Sequence, residues 1–286
     1  MSAGTQRATV GEALQGATDA IAAAGCDTAR LDAELLLSEA TGWECAKINA
    51  ETELRLPVGA SRSFAVMVRR RVRREPVAYI LGRKGFRRIE LVVDRRVLIP
   101  RPETELLVDI AMEVGPRAVL DVGTGSGAIA LAVADELTDA RVTAIDTSFD
   151  AVRVAQANTE RLALDARVDV VLRGVSSLDE ARPDGRPFDL MVANLPYVSE
   201  AEWDDLAPEI REYEPREALV AGPTGVEAIE ALARELSSLP QKPAVVALEV
   251  GATQAAGAST LLRDAGYGEV EVRQDLAGLD RVVMGR

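Results

Sequence analysis

Short apolar segments alternate with helical segments over the last two thirds of the chain, and this alternation restricts the possible fold more than any other feature. The predicted strands are Ala118–Val122, Arg141–Ile145, Val168–Leu172, Phe188–Ala193, Ala244–Val250, Val270–Arg273 and Arg281–Met284. Helical patterns at Ala128–Glu136 and Ser148–Ala163 connect the first three strands, which favours parallel strands with helices on both faces of the sheet. The last two strands are joined by a tight turn and must pair antiparallel. The sequence therefore predicts an α/β fold with a mostly parallel, seven-stranded sheet.

The first 84 residues have helical periodicity and predict a small N-terminal helical domain. Thr9 and Glu12 have the spacing of a capping box at the start of a helix. Residues 85–100 alternate like a β-hairpin, with the turn expected near Asp94 and Arg95. We therefore expect a helical domain at residues 1–84, a β-hairpin linker at 85–100 and a catalytic domain at 101–286.

The chain contains no histidine among its 286 residues, which limits the chemistry that it can perform. Catalytic triads that use histidine are excluded, and so is the commonest zinc ligand. The two cysteines, Cys26 and Cys45, form neither a CxxC pair nor a disulfide framework. We expect no metal, and catalysis must depend on amides, carboxylates, backbone groups or a reactive cofactor.

Charge and hydropathy bear on partners and location. The net charge is −13, and residues 1–90 carry +3 whereas the remainder carries −16. Phosphate contacts need the opposite sign, so no direct nucleic-acid binding is expected. The basic residues of Arg69–Arg74 and Arg83–Arg88 form either a solvated surface or a docking patch for an acidic or RNA-containing partner.

No apolar run approaches the roughly 20 residues that span a bilayer, and the N-terminus lacks a signal-peptide pattern. We expect no membrane association and a cytoplasmic location.

A glycine-rich loop follows the first predicted strand, and its spacing indicates the cofactor. The predicted cofactor-binding residues in it are Gly123, Thr124, Gly125, Ser126 and Gly127. Asp146 ends the next strand, where a carboxylate can accept hydrogen bonds from ribose hydroxyls. The loop reads GxGxG and lacks the GxGxxG spacing of pyrophosphate-binding loops. This favours S-adenosylmethionine (SAM), which has no phosphate, over a nicotinamide dinucleotide, although a simple tight turn remains the alternative.

The fourth predicted parallel strand ends in Asn194, Leu195, Pro196 and Tyr197, which we take as the catalytic and substrate-binding loop. The Asn194 side-chain oxygen and the Leu195 carbonyl can accept both hydrogens of a planar NH2 group, because Pro196 favours an extended Leu195. Tyr197 could stack on that group. Two acceptors favour the positive charge that develops on an amide nitrogen during methylation, and no general base is needed. The alternative is a plain strand-ending turn.

Several motifs occur in the order found in one known family. They are Pro76–Gly82, Val97–Glu105, Asp121–Gly127, Asn194–Tyr197, Glu214–Arg216 and Asp275–Gly278. The chain thus resembles the release factor glutamine methyltransferases, of the PrmC or HemK type, over nearly its whole length. The Arg-Pro-Glu-Thr-Glu segment that ends at Glu105 is the most specific of these motifs.

The resemblance implies a class I SAM-dependent methyltransferase with a Rossmann-like fold. It implies N5-methylation of the glutamine in the Gly-Gly-Gln loop of class 1 peptide chain release factors, with S-adenosylhomocysteine as a product. The N-terminal domain would contact the release factor, and Asn194 would lie beside both cofactor and glutamine. The segment Arg101–Glu105 would line the mouth of the site, with Arg101 and Glu103 as substrate-binding residues. The chain departs from the family in two ways. Leu195 replaces a proline, and Val175 with Ser176 replaces an acid and an aromatic near the adenine, so Ser176 or backbone groups would contact it.

Four alternatives remain open. A ribosomal-protein glutamine methyltransferase shares the chemistry but is expected to lack the full Arg-Pro-Glu-Thr-Glu string. A ribosomal RNA adenine N6-methyltransferase has a similar Asn-Leu-Pro-Tyr loop, against which the acidic catalytic half argues. A SAM-binding scaffold with weakened catalysis would account for the two departures. A nicotinamide-dependent oxidoreductase is disfavoured by the glycine spacing.

Overall fold

The computed structural model of the chain describes residues 8–181 and 185–286. The helices are α1 (Val10–Ala23), α2 (Ala29–Thr41), α3 (Cys45–Ala50), α4 (Val58–Val72), α5 (Val77–Leu81), α6 (Glu105–Val114), α7 (Ala128–Glu136), α8 (Phe149–Arg161), α9 (Pro208–Tyr213), α10 (Glu227–Ser238) and α11 (Ala255–Asp264). The strands are β1 (Arg83–Phe86), β2 (Ile89–Val92), β3 (Ala118–Val122), β4 (Arg141–Asp146), β5 (Val168–Leu172), β6 (Leu190–Asn194), β7 (Val198–Ser199), β8 (Val220–Gly222), β9 (Val245–Glu249), β10 (Val270–Gln274) and β11 (Asp280–Gly285).

The described residues form two compact units. One contains the chain up to Gly82 together with Ala207–Tyr213, and the other contains Arg83–Leu206 with Glu214–Arg286. The first seven residues of the predicted helical domain lie outside the described part of the chain, and the predicted boundaries at residues 84 and 100 stay predictions. The assignment of Ala207–Tyr213 to the first unit was not foreseen, because nothing in that short segment's own sequence identifies its packing partners.

The first unit is helical, as the periodicity predicts. The capping box is confirmed, since the Thr9 hydroxyl accepts a hydrogen bond from the Glu12 amide at 3.2 Å and the Thr9 amide donates to the Glu12 carboxylate at 2.8 Å. The apolar face of α1 is buried at Val10, Leu14, Ala17 and Ile21. It packs into a core that also contains Leu36, Leu37, Ile48 and Phe64. Burial of this continuous apolar surface is the main force that stabilises the unit.

One arginine of the basic run is part of the interior of this unit. Arg71 is only 5% exposed, and its guanidinium donates to Asp32 at 2.7 Å and to Glu209 at 2.9 Å. Arg74 also donates to Glu209. A buried charge is tolerated when it is paired in this way. Both sequence interpretations of the run, a solvated surface and a docking patch, are therefore wrong for Arg71, whereas Arg69 and Arg73 are exposed.

The second unit is built on the predicted sheet. The strand order is β10-β11-β9-β6-β3-β4-β5, and β11 pairs antiparallel with both of its neighbours while the other pairs are parallel. This confirms the predicted seven-stranded, mostly parallel sheet and its antiparallel final pair. Because β3, β4 and β6 run in the same direction, their carboxyl ends meet at one edge, where ligands bind in sheets of this kind.

The hairpin of residues 83–92 differs from its prediction. Strands β1 and β2 pair around a turn at Arg87 and Arg88, with Phe86 opposite Ile89. The expected turn at Asp94 does exist, since the Val97 amide donates to the Asp94 carbonyl at 3.1 Å, but it follows the hairpin. Arg87 has a φ of 51°. Its guanidinium pairs with Glu136 and with Asp109. Both acids are distant in sequence, so the local pattern could not reveal this turn.

A buried asparagine of α8 links the hairpin to the glycine-rich loop. The Asn158 side chain accepts from the Val92 amide at 2.8 Å and donates to the carbonyls of Val92 and Ser126 at 3.0 and 2.9 Å. Replacing Asn158 with alanine is expected to lower the free energy of unfolding by about 2–4 kcal/mol, because it leaves buried backbone groups unpaired. Urea denaturation measures this change. Asn49→Ala, at an exposed position, is the matched control, and equal stability of the two variants would contradict the prediction.

No helix among the described residues has the length and apolar character needed to cross a membrane. Within residues 8–181 and 185–286, no group of three or more cysteines and acids is placed to hold a metal ion.

Candidate active site

The glycine-rich loop connects β3 to α7 at the edge of the sheet. Gly123, Gly125 and Gly127 all have positive φ angles, of 76°, 56° and 86°. A Cβ atom at Gly123 would lie 3.1 Å from Leu195 Cδ2 and 3.4 Å from the Asn194 carbonyl oxygen. The absence of a side chain at Gly123 therefore allows the predicted cofactor loop and the predicted catalytic loop to contact each other.

Asp121 holds this loop from beneath. It is fully buried, and its Oδ2 accepts from the Thr124 hydroxyl at 2.6 Å and from the Ala130 amide at 3.2 Å. Burial raises the pKa of Asp121 to about 7, although both hydrogen bonds oppose the shift. The sequence identified Asp121 as part of the motif but gave it no function. The structure shows that it fixes the shape of the loop.

Asp146 lies at the carboxyl end of β4, as predicted, and borders the same loop. Its two oxygens accept from the Gly125 amide at 2.9 Å and from the Ser148 amide at 2.8 Å. Burial raises the pKa of Asp146, and these backbone donors oppose the shift. A carboxylate oxygen can accept more than one hydrogen bond. Asp146 is therefore held rigidly and keeps acceptor capacity toward a ligand.

A cleft with about 760 Å³ of free space, part of it open to solvent, lies at this edge of the sheet. The predicted site residues that line it are Gly123, Gly125, Asp146, Asn194, Leu195 and Pro196. A smaller adjoining cavity shares Gly123, Gly125 and Asn194 and is also lined by Arg101, Thr124 and Ser126. Two loops that are about 70 residues apart in sequence thus form a single site.

Four predicted site residues line neither cavity. Ser176 is exposed, and Arg173, Gly174 and Val175 form the cleft wall there instead. The short 3-10 helix of Val175–Ser177 accounts for this, because it places consecutive side chains on different sides. The other three predicted site residues that line neither cavity are Gly127, Glu103 and Tyr197.

Each of these three residues has a different setting. Gly127 faces the protein interior, since a Cβ there would lie 2.9 Å from Leu131 Cδ1. Glu103 borders a separate groove with Leu276.

The Tyr197 ring lies beside Gly251, and burial raises its pKa to about 12. The Tyr197 carbonyl accepts from the Gln254 side chain at 2.9 Å, which anchors the end of the loop. Stacking of Tyr197 on a substrate stays a prediction.

Asn194 and Leu195 carry the two acceptors that the sequence proposed. The Asn194 Nδ2 donates to the Thr104 hydroxyl oxygen at 3.1 Å. No described residue donates a hydrogen bond to Asn194 Oδ1 or to the Leu195 carbonyl oxygen. Both residues border the cleft. Two unoccupied acceptors therefore lie on adjacent residues beside the glycine-rich loop.

Arg101 is held by an acid from a distant motif. Its guanidinium donates to Glu214 Oε1 at 2.5 Å, and Glu214 Oε2 accepts from the Ile99 amide at 3.0 Å. Glu214 is 6% exposed. The sequence placed Glu214 within a family motif but indicated no function for it. The structure shows that it connects the Glu214–Arg216 motif to the Arg-Pro-Glu-Thr-Glu segment.

Two further residues lie beside Asn194: Thr104, which the resemblance placed only within the segment at the mouth of the site, and Glu249, which was not predicted. Thr104 contacts the Asn194 side chain directly, and Glu249 is the register partner of Asn194 on the neighbouring strand β9. Glu249 is 1% exposed. An acid at the end of an otherwise apolar strand is an unusual feature, and this signal in Ala244–Val250 could have identified it.

Comparisons with known proteins agree with this architecture. Residues 12–82 match the PrmC N-terminal domain, and residues 119–213 match a methyltransferase domain. The catalytic domain of human hMettl16, solved with hairpin 6 of the MAT2A 3′UTR, superposes with a TM-score of 0.56 at 15% identity, covering 78% of this chain and 81% of that chain. At this identity the likeness concerns the fold alone, and it confirms the predicted class I methyltransferase architecture.

Relatives of known name decide the family. The release factor glutamine methyltransferase of Chlorobaculum tepidum is 42% identical over 264 residues, which is 89% of this chain and 89% of that protein. Those of Rhodopirellula baltica and Caulobacter vibrioides are both 38% identical, over 96% and 97% of this chain and 95% and 96% of theirs. The chain belongs to the release factor glutamine methyltransferase family. The resemblance inferred from the motifs is confirmed, and this family member is an enzyme with a methyltransferase domain.

Proposed function

We propose that this enzyme transfers a methyl group from SAM to the side-chain nitrogen of the glutamine in the Gly-Gly-Gln loop of class 1 peptide chain release factors, in the cytoplasm. One observation carries the proposal. Asn194 Oδ1 and the Leu195 carbonyl oxygen accept no hydrogen bond from the described residues, and both residues border the cleft. A primary carboxamide presents two N–H donors, which these two acceptors match.

The chemistry of an amide explains why two acceptors are sufficient. The lone pair of an amide nitrogen is delocalised, so the nitrogen is a poor nucleophile and becomes positive as a new bond forms. Oxygen acceptors directed at its two hydrogens interact more strongly with that charged state than with the neutral amide, which lowers the barrier. The cationic, N-methylated amide formed in this way then loses a proton to water and becomes the neutral product. No histidine is required, in agreement with the composition.

The residues of the cleft fit SAM. When bound, SAM supplies a methyl group activated by a sulfonium, and S-adenosylhomocysteine is the product. Gly123 and Gly125 would border its amino-acid part, with Thr124 and Ser126 in the adjoining cavity, and Asp146 would accept from its ribose hydroxyls. Val175 and Gly174 offer an apolar and backbone surface for the adenine. Asn194 lines the region shared by both cavities, so its backbone would lie beside the cofactor while its side chain contacts the substrate.

The proposed protein substrate is supported by the names of the relatives and by the motifs. We propose that the helical region of residues 1–84 docks the release factor, that 85–100 links it to the catalytic domain of 101–286, and that Arg101 and Glu103 contribute to the mouth of the site. Fixing Arg101 against Glu214 would keep its guanidinium in one position. Tyr197 and Pro196 would complete the glutamine-binding loop.

The test is incubation of the purified enzyme with labelled SAM and a purified release factor, with total tRNA and ribosomal subunits as competing substrates. Mass spectrometry locates the label. We expect a single methyl group on the glutamine of the Gly-Gly-Gln loop and none on a release factor in which that glutamine is alanine. Label on a ribosomal protein or on RNA would instead assign the enzyme to one of the alternative substrates.

Replacing Asp146 with alanine is expected to weaken SAM binding by about 1–3 kcal/mol, since ribose hydroxyls would lose their acceptor. Isothermal titration calorimetry measures the dissociation constant. Asp139→Ala, at an exposed position, is the matched control. An unchanged affinity in Asp146→Ala would show that the ribose is held by other groups.

A further inference from the structure

Glu249 is a buried carboxyl group beside the catalytic asparagine. It is the last residue of β9, its Cα is paired in register with that of Asn194, and it is 1% exposed. Neither of its oxygens has a hydrogen bond of normal length and angle to a described residue. An unpaired buried carboxylate is costly. Its position behind Asn194 therefore calls for a function that offsets this cost.

Thr104 connects Glu249 to Asn194. The Thr104 hydroxyl is buried and accepts from Asn194 Nδ2 at 3.1 Å. A hydroxyl that accepts one bond still has a hydrogen to donate. The register pairing places Asn194 next to Glu249, and the side chains of Thr104 and Asn194 both lower the pKa of Glu249 as nearby donors. Glu249 is thus the acceptor available to the Thr104 hydrogen.

We propose that Thr104 and Glu249 are positioning residues, which fix the Asn194 carboxamide with its nitrogen inward and its oxygen toward the substrate. The two ends of a carboxamide have nearly the same shape, so sterics alone cannot choose between them. A carboxylate can only accept hydrogen bonds. The Glu249 carboxylate therefore sets the direction of a chain of hydrogen bonds, in which the Asn194 NH2 group donates to the Thr104 hydroxyl and the Thr104 hydroxyl donates to Glu249.

The direction of this chain of hydrogen bonds decides whether the site can function. With the Asn194 nitrogen inward, Oδ1 is free to accept from the substrate NH2 group. If the carboxamide were rotated by half a turn, its own NH2 group would face that of the substrate, and two donors would oppose each other. This inference rests on the proposed function, because it assumes a substrate with an NH2 group.

Protonation of Glu249 would remove the directing effect, because a carboxylic acid can also donate. Burial raises the pKa of Glu249 to about 7; the charge of Glu103 adds to the shift, and Arg281 on β11 opposes it. Tyr197, from the loop after β6, also faces Glu249 and stays neutral because burial raises its pKa to about 12. Acidification through pH 7 should therefore decrease turnover in the wild-type enzyme.

The experiment compares Thr104→Val, Thr104→Ser, Glu249→Gln and the wild type in kcat, in the dissociation constant of SAM and in urea stability. We expect Thr104→Val and Glu249→Gln to lower kcat about 10- to 100-fold, the scale of one hydrogen bond to a charged group. Affinity for SAM should be unchanged, and Thr104→Ser should recover most of the activity. The kcat of Glu249→Gln should lose the decline with acidification near pH 7. Thr260→Val, the same chemical change at an exposed position of α11, is the matched control.

Two outcomes would overturn the positioning role. One is wild-type kcat in both Thr104→Val and Glu249→Gln, and the other is a loss that Thr104→Ser does not recover and that parallels a loss of SAM binding or stability. A second measurement does not depend on the substrate. The side-chain amide hydrogens of Asn194 should exchange slowly with solvent in NMR spectra of the wild type and faster in Thr104→Val. A wild-type enzyme that leaves release factor unmethylated but shows this difference would contradict the proposed function alone, and equal exchange rates would contradict the positioning role.

Discussion

Alanine in place of Asn194 is expected to lower kcat by about 10²–10³-fold, the scale of removing one preorganised group that stabilises charge in a transition state. The substitution removes Oδ1, one of the two acceptors proposed for the substrate NH2 group. It leaves the Asn194 backbone carbonyl, which lies against Gly123, in place. Affinity for SAM should therefore remain close to the wild-type value. Steady-state kinetics with a release factor, together with calorimetric titration of SAM, measure both quantities.

The control for this experiment is Gln241→Ala, which also removes a side-chain carboxamide, at an exposed position shortly before β9 and outside the proposed docking region. Its kcat should equal that of the wild type. If Asn194→Ala turned over at a near-normal rate, the side chain would have no part in the reaction. A matched loss of SAM binding would instead assign Asn194 to the cofactor, and the two-acceptor mechanism would lose its main support.

Alanine at Gly123 is expected to impair both cofactor binding and turnover. The residue has a φ of 76°, which costs an alanine about 1–3 kcal/mol. Its Cβ would also lie 3.1 Å from Leu195 Cδ2 and 3.4 Å from the Asn194 carbonyl oxygen, so the catalytic loop must move. We expect at least about tenfold weaker SAM binding, the equivalent of 1.4 kcal/mol, and a decrease in kcat in addition. Calorimetry and single-turnover methylation measure the two effects separately.

Gly115 provides a matched control, because it ends α6 with a φ of 61° and no neighbouring atom lies within 4 Å of the position that a Cβ would occupy. Gly115→Ala should share the backbone strain, lose about 1 kcal/mol of stability, and bind SAM normally. Equal behaviour of the two variants would show that strain alone, and not the contact with the catalytic loop, explains the effect of Gly123→Ala.

The sequence was most informative where local pattern determines structure. The period-two and apolar segments located β3, β4, β5, β6 and β9 to within about two residues, since buried parallel strands leave a continuous apolar signal. The glycine spacing and the motif at Asn194 were recognisable because backbone turns and a hydrogen-bonding side chain are encoded at single positions. Their meeting at one edge then followed from the parallel order of the strands.

What the sequence missed depends on contacts between distant residues. The pairing of Arg71 with Asp32 and Glu209 joins three separate segments, and a run of arginines gives no sign of which one is buried. The turn at Arg87 depends on the pairing of its guanidinium with Glu136 of α7. Ser176 was predicted because it occupies the position where the family has an aromatic residue, and the local 3-10 helix directs Val175 to the cleft instead.

The inclusion of Ala207–Tyr213 in the helical unit has a consequence for how the protein is dissected. The polypeptide passes between the two units three times, after Gly82, after Leu206 and after Tyr213. A fragment that starts at Arg83 would retain α9 but lack Arg71 and Arg74, the partners of its Glu209. The helical region is therefore not a detachable N-terminal module, and its removal would leave an orphan segment immediately before Glu214, the acid that holds Arg101.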